Sequence, residues 1–143
     1  MRIIYFVVCI FLGAPLAFAF EKKTFDDIKL DNPTPEELVM AQIDAYNTGD
    51  INSFLSTFAP DIKIYNFPDQ LSTSGIEKMR TSFSHVFTTN PDLHAEVEIK
   101  GVKGSFVILH ETITGLDYGD DFDVIAIYEV NQNNKIQNLW FVR

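Results

Sequence analysis

The chain has 143 residues and a formal net charge of −9, with 20 acidic side chains against 11 basic ones. That surplus excludes a general nucleic-acid binder, because phosphates would be repelled. A single cysteine, Cys9, excludes an internal disulfide, while 46% hydrophobic residues with thirteen Phe supply the core of one domain of ordinary size.

Met1 to Ala19 has the parts of a cleavable signal peptide. Arg2 is a minimal positive start, Ile3 to Leu12 is an unbroken apolar run, and Ala17-Phe18-Ala19 is a small-x-small cleavage signature. A retained membrane anchor is the rival reading, since the apolar stretch counted through Phe20 approaches the roughly 20 residues that span a bilayer. Gly13, Pro15 and the Ala-x-Ala pattern argue against it. Cleavage removes Cys9, and with it thiol catalysis and thiolate-bound metal. It leaves 124 of the 143 residues at a charge of −10, Arg2 being the one charged residue lost. The mature chain is therefore expected outside the cytoplasm, periplasmic or secreted, with no stable membrane insertion. Residues 20–33 are polar and aperiodic and read as a flexible lead-in to a single domain over 34–143.

Thr34 as cap, Pro35 at the first helical position and Glu37 three residues after the cap announce a first helix. Leu38, Met40, Ala41 and Ile43 are its candidate apolar stripe, and Gly49 is its left-handed stop. Asp50 caps a short second helix with Ile51, Phe54, Leu55 and Phe58 at helical spacing, closed by Pro60-Asp61. Ile62 to Phe67 alternates as a strand. Asp69 to Ser74 reads as a polar loop, and a third helix runs through Ile76, Met79, Phe83 and Phe87 to Asn90-Pro91.

The period then changes to two. Strands are expected over Leu93 to Lys103, from Gly104 to Gly115, over Phe122 to Val130 and over Lys135 to Arg143, joined by short connections as an antiparallel meander. This order is an α+β layout with helices packed on one side of a curved sheet. The strand Phe122 to Val130 is apolar on both faces, with Val124, Ala126 and Tyr128 on one and Ile125 and Ile127 on the other. A second apolar face in so small a domain needs a cover, and a homodimer partner is the expected one.

Several segments, in this order and spacing, resemble the nuclear transport factor 2-like superfamily, in particular its SnoaL-like and ketosteroid-isomerase-like branch. They are Tyr46 to Asp50 (YNTGD), Phe58 to Asp61 (FAPD), Ser74-Gly75-Ile76, Asn90 to Ala95 (NPDLHA), His110 to Gly115 (HETITG), Ala126 to Val130 (AIYEV) and Leu139-Trp140-Phe141. The resemblance implies a cone: a curved antiparallel sheet with three N-terminal helices closing one side over an apolar pocket. Members include isomerases, cyclases, dehydratases and non-catalytic modules, so the fold alone selects no reaction.

Ketosteroid isomerase uses an aspartate base and an oxyanion pair of tyrosine and protonated aspartic acid. Matching the motifs puts Asn66 at the base, Gln42 at the tyrosine and Ala126 at the neutral acid, so all three roles are vacant here. His110 becomes the candidate acid/base because imidazole titrates near neutral pH. It points into the pocket if strand pairing sets it beside Ala126 or Tyr128; otherwise it is a satisfied core histidine. Asn66, Ala126, Tyr128 and Trp140 are the candidate pocket lining, and Glu111 is expected on the opposite, dimer-facing side. His85 and His94 read as surface or interface residues, and the three histidines have no metal-ligand spacing, so no metal is expected. No phosphate-binding loop or dinucleotide fingerprint occurs, so no cofactor is expected either.

The function expected from these residues is an exported protein with a pocket for a small apolar molecule. Either it is a cofactor-independent isomerase, cyclase or hydratase, or it is a non-catalytic hydrophobic-ligand-binding or dimerisation module. A cavity below roughly 300 Å3 would favour a domain filled by its own side chains.

Overall fold

The computed structural model describes residues 32–143. The signal segment, its cleavage and nearly all of the lead-in lie outside the described residues.

Thr34 starts helix α1 (Pro35–Thr48) with a complete capping box: the Glu37 backbone N–H donates to Thr34 Oγ1 at 3.3 Å, and the Thr34 N–H donates to Glu37 Oε2 at 2.9 Å. Gly49 stops it at φ 67°, a left-handed conformation that glycine adopts without a Cβ penalty. The buried face is Leu38, Val39, Gln42, Ile43 and Ala45, whereas Ala41, expected in the stripe, faces solvent. Asp50 caps helix α2 (Ile51–Ser56), accepting from the N–H groups of Asn52 and Ser53 at 3.1 Å each. Strand β1 (Phe58–Asn66) begins at once, so Phe58 belongs to the sheet and not to α2. Strand β2 (Gln70–Ser74) lies where a loop was expected; it hairpins back on β1. Its residues are nearly all exposed, so it carries no apolar alternation to read.

Helix α3 (Ile76–Thr89) follows, then β3 (His94–Lys103), β4 (Phe106–Thr114), β5 (Phe122–Val130) and β6 (Ile136–Val142). The six strands form one curved sheet in the order β2-β1-β6-β5-β4-β3. The run from β3 to β6 is the expected antiparallel meander, and β1 joins β6 in parallel. The three helices pack on one face. Phe54 is the hub of that interface, with the rings of Phe58 at 5.1 Å, Phe83 at 4.7 Å and Phe87 at 5.4 Å between centroids. Burying such a ring contributes roughly 1.5–3 kcal/mol.

Register decides which side chains meet those helices. Leu109 pairs with Ala126, His110 with Ile125 and Glu111 with Val124. The helix-facing set is Val107, Leu109, Glu111 and Ile113 on β4, with Val124, Ala126, Tyr128 and Val130 on β5, and all eight are buried. The outer face carries Ile99, Phe106, Ile108 and Ile125, each 39–66% exposed.

At the free edge of β3, the Asn47 side chain stands in for a neighbouring strand. Its Nδ2 donates to the Ala95 carbonyl at 3.0 Å, and the Ala95 N–H donates to its Oδ1 at 2.7 Å. This ties the end of α1 to the sheet. Among the described residues, no helix is long and apolar enough to cross a membrane.

Candidate active site

Between the helices and the inner sheet face lies a cavity of about 200 Å3. Its wall is chiefly aromatic and aliphatic, from Ile43, Phe54, Phe58, Met79, Phe83 and Val124 among others. Into this apolar space project five polar side chains: Gln42 and Tyr46 from α1, Glu111 from β4, Tyr128 from β5, and Arg143 just after β6.

Glu111 is the chemical centre. It is 3% exposed, and among the described residues its one hydrogen-bond partner is the Tyr128 hydroxyl, which donates to Oε1 at 2.8 Å. A carboxylate in a low-dielectric site loses its hydration, so burial pushes the Glu111 carboxyl up to about 7, against the opposing pull of the Tyr128 bond. Tyr46 is pushed up to about 12, first by burial and then by the Glu111 charge. Tyr128 is raised well above the usual phenol value by burial, then by the same charge. At neutral pH both tyrosines therefore keep their protons as donors, while Glu111 can hold or release one.

Gln42 sits one helical turn before Tyr46 on the same face of α1. It is 4% exposed, and its Oε1 has no hydrogen-bond partner among the described residues. Arg143 lies with its guanidinium carbon 5.0 Å from the centre of the Phe122 ring, and both side chains line the cavity. Arg143 makes no ion pair with a carboxylate among the described residues, and the causes acting on Glu111 are burial and Tyr128 alone.

Of the residues expected to form the pocket, the fold brings in Tyr128. His110 stands on the outer face, because it pairs with Ile125 and not with Ala126. There its two ring nitrogens are held by Glu98 at 3.3 Å and Asp123 at 3.2 Å. Thr112, which donates to Glu98, completes the wall of an open depression of about 340 Å3. Glu111, expected on the dimer side, is the residue that enters the cavity. A one-residue change of register exchanges the two faces of a strand, and the loop of Gly115 to Asp121 sets that register. Ala126 is on the inner face but fully packed in the core. Asn66 is exposed at the end of β1, its Nδ2 3.4 Å from Gln70 Oε1. Trp140 is on the outer face, stacked on Tyr65 at 5.6 Å and 13°.

Glu111 and Tyr46 were not expected in the site, whereas the family resemblance had put Gln42 at the oxyanion tyrosine, and it does line the cavity. The available signal was the partition of β4: Thr112 and Thr114 mark the His110 face as the wetter one, and Glu111 is the only charge among Val107, Leu109 and Ile113. Among the described residues, no group of three or more His, Cys, Asp or Glu is arranged to hold a metal ion.

The model of the SnoaL-like domain matches residues 39–139, most of the described fold. The chain belongs to the SnoaL-like family. An uncharacterised cystatin-fold protein from Novosphingobium aromaticivorans is 26% identical with a TM-score of 0.72, the match covering 78% of this chain and 100% of that one. A nuclear transport factor 2-like protein of unknown function from Cytophaga hutchinsonii is 17% identical at a TM-score of 0.64, covering 77% of this chain and 89% of that one. An epoxide hydrolase of the LEH-like type from M. tuberculosis is 15% identical at 0.65, covering 76% and 80%. The last two likenesses are likenesses of fold. Among curated proteins, none matches the sequence. The SnoaL-like chain thus shares its architecture with enzymes and with proteins of unknown activity, and its own side chains must supply the argument for chemistry.

Proposed function

We propose that this SnoaL-like protein is an exported, cofactor-independent enzyme that moves a proton on a small, largely apolar molecule, in the manner of an isomerase, cyclase or hydratase. The observation that carries the reading is Glu111: a buried carboxyl, oriented by one tyrosine, inside an apolar cavity and poised to titrate near neutrality. Perturbed acids of this kind are what general acid–base catalysis needs. Glu111 takes the proton, Tyr128 fixes the carboxylate, and Tyr46 donates to oxygen charge that develops on the bound molecule. His110 has no part in this chemistry, being on the other face.

The test is turnover by E111Q against a panel of small enolisable ketones, epoxides and unsaturated carbonyl compounds. The substitution should lower kcat by about 100-fold or more while ligand binding persists. Unchanged turnover of a substrate found with the wild type overturns the assignment.

One observation favours a second reading. The cavity, at about 200 Å3, is smaller than the roughly 300 Å3 from which ligand pockets usually start, although an apolar cavity of about 150 Å3 holds benzene. A non-catalytic module with a residual cavity fits the small volume, and it predicts that no small molecule raises the melting temperature.

Two further parts of the proposal concern setting and assembly. Export rests on the Met1–Ala19 pattern, and N-terminal sequencing of protein from its own host tests it: a start at Phe20 supports cleavage. A homodimer through the outer sheet face rests on the exposed Ile99, Phe106, Ile108 and Ile125. Light scattering on an I108D/I125D double variant should then give half the wild-type mass.

A further inference from the structure

Arg143 is the charged group in the cavity wall that the proton-transfer scheme leaves unused. Among the described residues that line the cavity it is the one cation, and it alone is exposed. Arg143 therefore marks where the cavity meets solvent, while Glu111 lies buried further in. The guanidinium carbon stands 5.0 Å from the centre of the Phe122 ring, a contact that holds the cation in place and leaves its N–H groups free to donate. Among the described residues those groups meet no carboxylate and no other acceptor.

The lack of a partner runs against the composition. The chain holds 20 acidic side chains against 11 basic ones, and three of the acidic ones, Asp120, Asp121 and Asp123, surround Phe122 in sequence. Asp121 and Asp123 line the depression on the outer face instead, where Asp123 is held by His110. Glu111, the cavity's own carboxyl, is tied to Tyr128 and shows no influence of Arg143. A cation beside an apolar wall gives up hydration and is stabilised by an anion. In this wall the protein supplies none, so the position is open to an anionic group on a bound molecule.

We propose that Arg143 is a specificity-determining residue, and that the cavity takes small apolar acids whose carboxylate pairs with its guanidinium at the mouth. This rests on the reading of the cavity as a ligand site, and it narrows the substrate class of that site. A planar carboxylate matches two parallel N–H donors of the guanidinium fork. A single arginine balances one negative charge, and the acidic surplus of the chain disfavours a more highly charged ligand. The ligand then lies with its charge toward solvent and its apolar part inward, where Glu111 stands. About 200 Å3 limits that part to a single six-membered ring or a chain of similar bulk, on the scale of the roughly 150 Å3 that holds benzene.

Calorimetric titration of the purified protein with benzoate and with benzamide, at about pH 6, tests the assignment. The two probes have nearly the same shape and only benzoate is charged. At that pH Glu111 is mostly protonated and does not repel it. Wild type should bind benzoate at least about five-fold more tightly than benzamide, as a charge-assisted hydrogen bond at a partly wet site allows. R143Q should bring the two probes within about two-fold, with R143M as the second variant should R143Q fold poorly. E111Q should retain the wild-type preference. Equal binding of the two probes by wild type, or a benzoate preference that survives in R143Q and R143M, overturns the assignment and leaves the cavity reading standing. A preference lost in E111Q assigns the carboxylate to Glu111 and equally ends the inference. If wild type binds neither probe up to its solubility limit, the ligand-site reading itself fails, and this inference with it.

Discussion

His110 and Glu111 share a peptide bond and stand on opposite sides of the sheet. The imidazole sits between two carboxylates on the outer face, at 3.3 and 3.2 Å, and the carboxyl of its neighbour is sealed among aromatic rings with a single tyrosine to hold it. Alternation of side chains along β4 produces this split, and the consequences for the two residues are opposite. The half-exposed histidine has water and counter-charges at hand. The buried glutamate has neither, and its proton affinity rises.

That rise makes Glu111 a term in the stability of the protein. Its carboxyl titrates near the ordinary 4.5 when unfolded and at about 7 when folded, so the folded state binds the proton more tightly. The contribution is fully present below pH 4.5 and is lost as pH climbs through 7, where the buried group must ionise. At about 1.4 kcal/mol per unit this amounts to about 3 kcal/mol. E111Q should therefore flatten the fall in stability between pH 4.5 and 7 and exceed wild type at pH 8 by about that amount. Urea unfolding at a series of pH values measures it, and an equal pH slope in the two proteins refutes it.

The Tyr128 hydroxyl donates to Glu111 and favours its charged form. Y128F removes that bond and should move the carboxyl of Glu111 further up. Carbon-detected NMR titration of the Glu111 side chain would register the change, and a midpoint unmoved or lowered in Y128F would contradict the arrangement.

His110→Ala should leave binding in the cavity unchanged. The contacts with Glu98 and Asp123 that it removes are partly exposed, so the loss of stability should stay below about 1 kcal/mol. Thermal unfolding with and without a small molecule that the wild-type cavity is found to bind checks both statements. A lost ligand response would put the histidine back in the site.

Gly115 holds the turn after β4 at φ 76°, and a Cβ there would run into the backbone carbonyl of Asp92. Gly115→Ala combines that collision with the left-handed penalty and should cost at least about 2 kcal/mol. Because the same turn sets how β5 meets β4, amide exchange in β5 should accelerate as well. A variant as stable as wild type would show that the loop of Asn90 to Leu93 simply moves aside.

Asn47→Ala removes both hydrogen bonds to Ala95 and leaves a part-buried backbone donor and acceptor unpaired. The expected loss is about 1–3 kcal/mol by denaturant unfolding. Asn47→Asp should recover little of it, since a carboxylate accepts from the Ala95 N–H but gives nothing to its carbonyl.

The fold was legible where local chemistry dictates it. Thr34, Glu37 and Gly49 bound α1 through hydrogen bonds made within a few residues, and the strand Phe122 to Val130 keeps period two throughout. Gln70 to Ser74 was not legible, since its pairing with β1 is made by the backbone and its side chains are mostly in solvent. The site was half legible. Period two separated His110 from Glu111 correctly, but the face that turns inward depends on pairing across a loop, and here both faces carry aliphatic residues. Val107, Leu109 and Ile113 outweigh Phe106 and Ile108 only once the two threonines are counted. Gln42 was legible only through the family resemblance: a glutamine in a helix is ordinarily a surface residue, and only the packed structure shows that it is buried with an oxygen that has no partner among the described residues.

The amide of Asn47 also bears on how copies of this chain can meet. A sheet edge with free N–H and C=O groups is a template on which another chain can continue the ladder, and repeated addition of that kind has no natural end. At Ala95 the backbone is already engaged by a side chain, so a strand arriving along β3 finds that rung occupied. Addition along that edge is thereby hindered, and the homodimer proposed through the broad face would instead close on itself after two copies.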